Sequence, residues 1–213
     1  MEYNQEGRHR GDIGNIKTKK YELKVLRKLL HSTIGIIAIL FYFFPLYENI
    51  FIFILSSVII LTLIVDVIRL TFTHINDFFF KYFHFLFVER DKNKINSANF
   101  YFMGCLLTLM FFPSSIAAIG ILYLSFGDTS AAIIGQKLSK KISIKIPKTN
   151  KTFIGSIGFV VVSTIIGITF GLNIKTALLS AVVGAIFEAL PLGIDDNFTI
   201  PFFSSLTIWA MSI

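Results

Sequence analysis

The residues best suited to chemistry are acids and lysines set in apolar surroundings. Glu188, Asp195 and Asp196 lie close together near the C-terminus, between two apolar runs. A carboxylate at bilayer depth is costly, so it faces a cavity, a partner or a metal. Pro191, Gly193 and Pro201 are expected to break up the helix around these acids. Irregular backbone is tolerated there only under cover of protein or water. Asp195 reads as a solvated surface acid. Neighbouring carboxylates repel unless a cation offsets them. Oxygen ligands, retained waters and substrate phosphates together suit Mg²⁺. No His or Cys cluster in the sequence suggests zinc.

Three further groups carry comparable chemistry. Asp128 follows Gly127 at the end of an apolar run, among Ser130, Ala131, Ala132 and Gly135. Small residues admit a ligand or a second helix at close range. Tight helix packing with Asp128 as an N-cap explains the same pattern. Lys151, Thr152, Gly155 and Ser156 open an apolar run. A helix start of this kind offers free N–H groups and a positive dipole end to phosphate. The stretch is not a P-loop, since no Gly-x4-Gly-Lys-[Ser/Thr] pattern occurs. The preceding Gln136–Lys148 stretch reads as a solvated loop that tolerates single Lys→Ala changes. Arg27, Lys28 and His31 form a basic cluster that snorkels and sets topology. His31 lies just inside an apolar run and needs a partner; on its own it reads as a satisfied structural residue. Cys105 is the sole cysteine, so no internal disulfide forms, and its apolar setting predicts an inert, packed thiol.

The chain that must position these residues has 213 residues, of which 54% are hydrophobic and 15% charged, with 24 phenylalanines. Long uncharged runs predict an all-α, polytopic transmembrane helical bundle of about seven spans plus an interfacial helix. Residues 1–20 read as a disordered polar tail and residues 21–213 as one membrane-embedded domain. The expected spans cover 29–46, 50–65, 99–112, 114–134, 153–171, 174–190 and 199–213. A polar break at 66–69 separates the second span from an interfacial helix over 72–88. There Thr73, His74, Asn76, Asp77, Lys81 and His84 share one side. The first span is expected to be retained, because Tyr42–Pro45 offers no small-residue cleavage site. In this arrangement every Lys and Arg except Lys175 falls on one side of the membrane. The positive-inside rule makes that side, with the N-terminus, cytoplasmic. His31, Arg69, Asp128, Lys151, Glu188 and Asp196 reach the same side. The formal charge of +7 is thus assigned to anionic lipid headgroups and topology, not to a nucleic acid partner. A small transporter would instead spread its acids through the membrane depth.

Taken in order, these groups resemble the CTP-dependent lipid kinases: dolichol kinase, phytol kinase and CTP-dependent diacylglycerol kinase. The matching segments are Arg27–His31, Asp66–Leu70, Gly127–Gly135, Lys151–Ser156, Glu188–Ala189 and Asp195–Pro201. Arg-Lys-x-x-His, Asp-x-x-Arg and Asp-Asp-Asn-Phe-Thr-Ile-Pro look most like the diacylglycerol kinase branch. The resemblance implies transfer of the γ-phosphoryl group of CTP to the hydroxyl of a membrane lipid alcohol. It implies Asp128 and Asp196 as Mg²⁺ ligands supported by Glu188, and Lys151 as a phosphate-holding residue. Thr129, Thr152, Gly155, Ser156 and Asn197 would assist, and Arg27, Lys28 and Arg69 would offset further charge. His31 or an acid would take the hydroxyl proton. The related phosphatidate cytidylyltransferases end in His-Gly-Gly and Asp-Arg-x-Asp; Asp195-Asp196-Asn197 here favours the kinase. The chain departs from the kinases at Ser139, where a second glycine is usual. It departs again at Phe153-Ile154, where a leucine–glutamate pair is usual, so an expected acid is missing.

Overall fold

The fold was determined as a computed structural model. It describes residues 32–40, 42–44, 46, 48–83, 91–138, 144–147, 149, 151–191 and 193–213. The described chain is helical: α1 (residues 32–40), α2 (Glu48–Thr71), α3 (Thr73–Tyr82), α4 (Ser97–Phe111), α5 (Ser114–Leu122), α6 (Asp128–Leu138), α7 (Phe153–Thr169), α8 (Ile174–Ala189) and α9 (Asp196–Ala210). Two of the helical stretches are long and apolar enough to cross a membrane. These are α2, at 24 residues with mean hydropathy 2.8, and the continuous run Ser114–Leu138, at 25 residues with mean hydropathy 1.5. On α2 Leu55 and Ile59 pack into the core, but most apolar side chains face outward; Phe53, Leu61 and Val67 are all exposed. Such an apolar surface along a whole helix needs lipid or protein to cover it.

The helix starts follow capping chemistry. Asn96, Thr152, Asn173 and Asp195 are N-caps whose side chains accept a backbone N–H of the first turn of α4, α7, α8 and α9. Asp195 is therefore bound to its own helix, with Oδ1 accepting from Asn197 N at 3.1 Å and from Asn197 Nδ2 at 2.7 Å. The residue stays partly exposed, so the cap adds to its reading as a surface acid and does not replace it. Pro113 sits before α5, where its missing N–H costs nothing.

The structure corrects three boundaries. The break expected at 66–69 is not one, and α2 runs through it to Thr71. Asp66 and Arg69 face each other one turn apart and pair at 2.6 Å, so neither charge has to leave the helix for water. The interfacial helix is shorter than 72–88. It ends at Tyr82, with Phe83 as C-cap, and residues 84–90, including His84, lie outside the described residues. On its polar side Thr73, His74, Asp77 and Lys81 are exposed, with Asp77 paired to Lys92 at 3.3 Å, and only Asn76 turns inward and is buried. Finally, Pro201 does not break α9 but lies inside it. A proline there removes one N–H, that which would bond to the carbonyl four residues earlier. This carbonyl belongs to Asn197, against which α4 presents Gly104; a Cβ on Gly104 would lie 2.5 Å from that oxygen. The close approach of α4 covers the freed carbonyl.

Helix α9 lies at the centre, packed on α4, α5 and α8, while α7 bridges α6 and α8. Ile200 and Ile208 of α9 are fully buried, with Tyr101, Tyr123 and Phe159 from its neighbours. Between α5 and α6 the chain makes a five-residue π-turn, Tyr123–Gly127, without leaving the helix. Asp128 thus continues a helix instead of ending one. Turns of this kind mark functional sites in many proteins.

Candidate active site

Helix order brings one set of ends together. The starts of α4, α7 and α9, the stretch of α6 from Asp128 to Gln136 and the end of α8 surround one open cavity of about 1100 Å³. Three helix N-termini on one cavity give it a positive dipole bias toward anions.

Lys151 stands at the centre of its charge. Its Nζ pairs with Glu188 Oε1 at 2.7 Å and also with Asp196 Oδ2. Each partner comes from a different element: Lys151 from the residue before the α7 cap, Glu188 from the last turn of α8 and Asp196 from the first turn of α9. Burial of Lys151 works against its charge. The opposing pull of Asp196, Glu188 and Asp128 prevails, and the ammonium is held well above the usual lysine range. Asp128 lines the same cavity from α6. Ser156 Oγ donates to Glu188 Oε2 at 3.4 Å.

The loop that delivers Lys151 is ordered at its end. Lys145 and Thr152 form an antiparallel bridge, and Ile146 N donates to Lys151 O at 3.0 Å. Thr149 Oγ1 accepts from Lys151 N at 3.2 Å. The start of α7 then presses on α6, because a Cβ on Gly155 would lie 2.8 Å from Ala131 O. Substitution at Gly155 would push this helix start off its neighbour.

Seven expected site residues line the cavity: Asp128, Lys151, Thr152, Gly155, Glu188, Asp196 and Asn197. Ser156 is joined to them through Glu188. Asn197 is largely buried and its amide group turns to Asp195. Thr129 is not on the cavity; its hydroxyl donates back to Ser125 O at 2.6 Å, within the π-turn. Arg69 is not on the cavity either. It is fully enclosed beside Asp66 and the loop that starts at Asp91. Arg27, Lys28 and His31 lie outside the described residues. Sequence reasoning missed Gln136, which lies on α6 and not in the expected loop, Lys145 of that loop, and Asp91 and Lys94 before α4; all four line the cavity. No motif marks them; the only signal was the density of lysines before Lys151.

Among the described residues no three His, Cys, Asp or Glu side chains gather closely enough to hold a metal ion by themselves. The cavity nevertheless offers carboxylates from three helices and no sulfur ligand. That donor set fits Mg²⁺, which binds through one or two carboxylates together with waters and substrate phosphates.

Fold and site together define an all-helical, membrane-associated protein with a charged cavity, lined by both carboxylates and lysines, among its helix ends. Comparison with known proteins gives the family. The chain is 30% identical over 211 residues to "CTP-dependent diacylglycerol kinase 1" of Saccharomyces cerevisiae, covering 86% of this chain and 71% of that protein. It is 29% identical over 209 residues to the protein of the same name from Schizosaccharomyces pombe, covering 90% of this chain and 94% of that one. An uncharacterized protein of Rickettsia prowazekii is 27% identical over 198 residues. The chain belongs to the CTP-dependent lipid kinase family. No family model matches it, and no solved structure does so significantly.

Proposed function

We propose that this protein transfers the γ-phosphoryl group of CTP to the hydroxyl of a membrane lipid alcohol, with diacylglycerol the first candidate, giving a lipid phosphate and CDP. The observation that carries the reading is Lys151, held between Glu188 and Asp196 on a cavity that Asp128 also lines. The sequence relatives named as CTP-dependent diacylglycerol kinases support the donor and the acceptor.

Phosphoryl transfer asks the protein for positioning and charge neutralisation more than for covalent chemistry. Lys151 neutralises phosphate oxygens as a compact point charge. Thr152 and Gly155 put the start of α7 beside it, where the helix dipole adds to the same field. The acceptor hydroxyl attacks the γ-phosphorus, the bond from that phosphorus to the bridging oxygen breaks, and CDP leaves. The hydroxyl proton passes to a cavity carboxylate or to His31. Asp128 and Asp196 would hold Mg²⁺, with Glu188 in support. Mg²⁺ bound to the nucleotide would supply further neutralisation of the phosphate charge.

The reading includes a topology. About seven spans with α3 on the surface place the cavity and the N-terminus on the cytoplasmic side, where CTP arrives and the lipid hydroxyl lies at headgroup depth. The apolar surface of α2 supports lipid contact.

Labelled CTP tests the reading. Purified protein in vesicles containing diacylglycerol, a polyprenol or phytol is given CTP labelled at the α- or γ-phosphate. Label from the γ position in the lipid is the expected result. Label from the α position would mean cytidylyl transfer, and no labelled lipid would end the proposal.

A further inference from the structure

A second ionic group lies next to the cavity without opening on it. Asp66 and Arg69, near the end of α2, are 2% and 0% exposed. Arg69 Nε donates to Asp66 Oδ1 at 2.6 Å. Its other nitrogens reach backbone carbonyls of one loop: Nη1 donates to Asp91 O at 2.9 Å and Nη2 to Lys94 O at 2.5 Å. Asn76 of α3 donates to Lys92 O at 2.9 Å. Asp66 Oδ2 accepts from Asn96 N and from Asn99 Nδ2, both at 2.7 Å. Residues 91–96 are thus tied to α2 and α3 at four places along six residues. The same loop forms a wall of the cavity through Asp91, Lys94 and Ile95. Only a planar fork of several fixed donors can serve a carboxylate and two carbonyls at once.

We propose that Asp66 and Arg69 are positioning residues, which touch no substrate but clamp residues 91–96 so that Lys94 meets the nucleotide's phosphates across the cavity from Lys151. The proposal rests on the reading of this cavity as the CTP site. It takes Arg69 out of direct phosphate binding and puts Lys94 there.

A double-mutant cycle on the full chain in vesicles, joined to a local probe, tests it. Asn93→Cys is labelled with a nitroxide; the native Cys105 is fully buried and stays unlabelled. In Arg69→Gln the label becomes more mobile, the KM for CTP rises about tenfold and kcat falls less. Lys94→Ala raises the KM similarly, and the Arg69→Gln/Lys94→Ala double variant is no worse than the poorer single, because both act through one contact. If Arg69→Gln does not fold, Asp66→Asn carries the same cycle. Independent, additive losses would mean that Arg69 acts on the ligand by itself and would overturn the proposal. An unmoved label or an unchanged KM would do the same. An unaltered chain without CTP-dependent transfer would sink the functional reading and the CTP part of this proposal together, while the label would still report whether the clamp exists.

Discussion

Arg69 and Lys151 each answer buried acids, yet the two groups are built differently. Around Arg69 the pair is closed: side-chain exposure is 0% for Arg69 and 3% for Asp66, and the fork is spent on a carboxylate and loop carbonyls. Around Lys151 it is open: Lys151 and Asp196 keep 28% and 30% exposure, against 4% for Glu188. A closed pair has no site left for a ligand, and its energy goes into holding backbone. An open pair can exchange a carboxylate for a phosphate. The difference also matches the residue types, since a guanidinium fork suits fixed geometry and an ammonium suits exchange. Sequence motifs alone do not separate these roles, because both lie in segments that resemble the same family.

The sharpest way to break the comparison is Lys151→Ala. It should lower CTP-dependent transfer about a hundred- to a thousandfold with membrane insertion kept, as measured by label transfer on purified protein. Arg69→Leu should do the opposite kind of damage. It leaves Asp66 buried without its cation and should cost about 3–5 kcal/mol of stability, read by thermal or denaturant unfolding in detergent. Lys145→Ala should be milder, raising the KM for CTP about threefold with kcat nearly unchanged, because its side chain is exposed at the cavity edge. The smallest effect concerns pH. The Lys151 pKa is raised above its unfolded value by Asp196, Glu188 and Asp128 in spite of burial. A raised pKa gives stability that is fully present below the unfolded lysine value of about 10.4 and is lost only as pH climbs through the folded one. The stability gap between the unaltered protein and Lys151→Met should therefore stay constant from about pH 7 to 9. A gap that narrows in that window would show that the ammonium is not held by its three acids.

Much of the fold was legible in the residues. As helices, the runs expected at 153–171 and 174–190 meet α7 at Phe153–Thr169 and α8 at Ile174–Ala189, since apolar runs bounded by Thr152, Asn173 and Pro191 leave little choice. The misread boundaries share a cause, which is that a local signal was answered by a distant partner. Asp66 and Arg69 look like a break until Asn96 and Asn99 of the next segment are brought to them. Pro201 looks like a helix end until Gly104 of α4 covers the carbonyl it frees. At the cavity, Asp128, Lys151, Glu188 and Asp196 were legible because charge is conspicuous in apolar sequence. Lys94 and Lys145 were not, because lysines in polar loops are ordinary, and only the fold turns these two toward the same space.

The π-turn at Tyr123–Gly127 works as a phase shifter in an otherwise unbroken rod. One added residue rotates everything downstream by about 100° relative to a regular helix. The half before it can therefore be tuned to its greasy neighbours, and the half after it can keep Asp128 aimed inward, with neither dictating the other's stripe. Removal of a single residue from that turn would swing the carboxylate round the barrel of its own helix while leaving composition, length and hydropathy almost untouched.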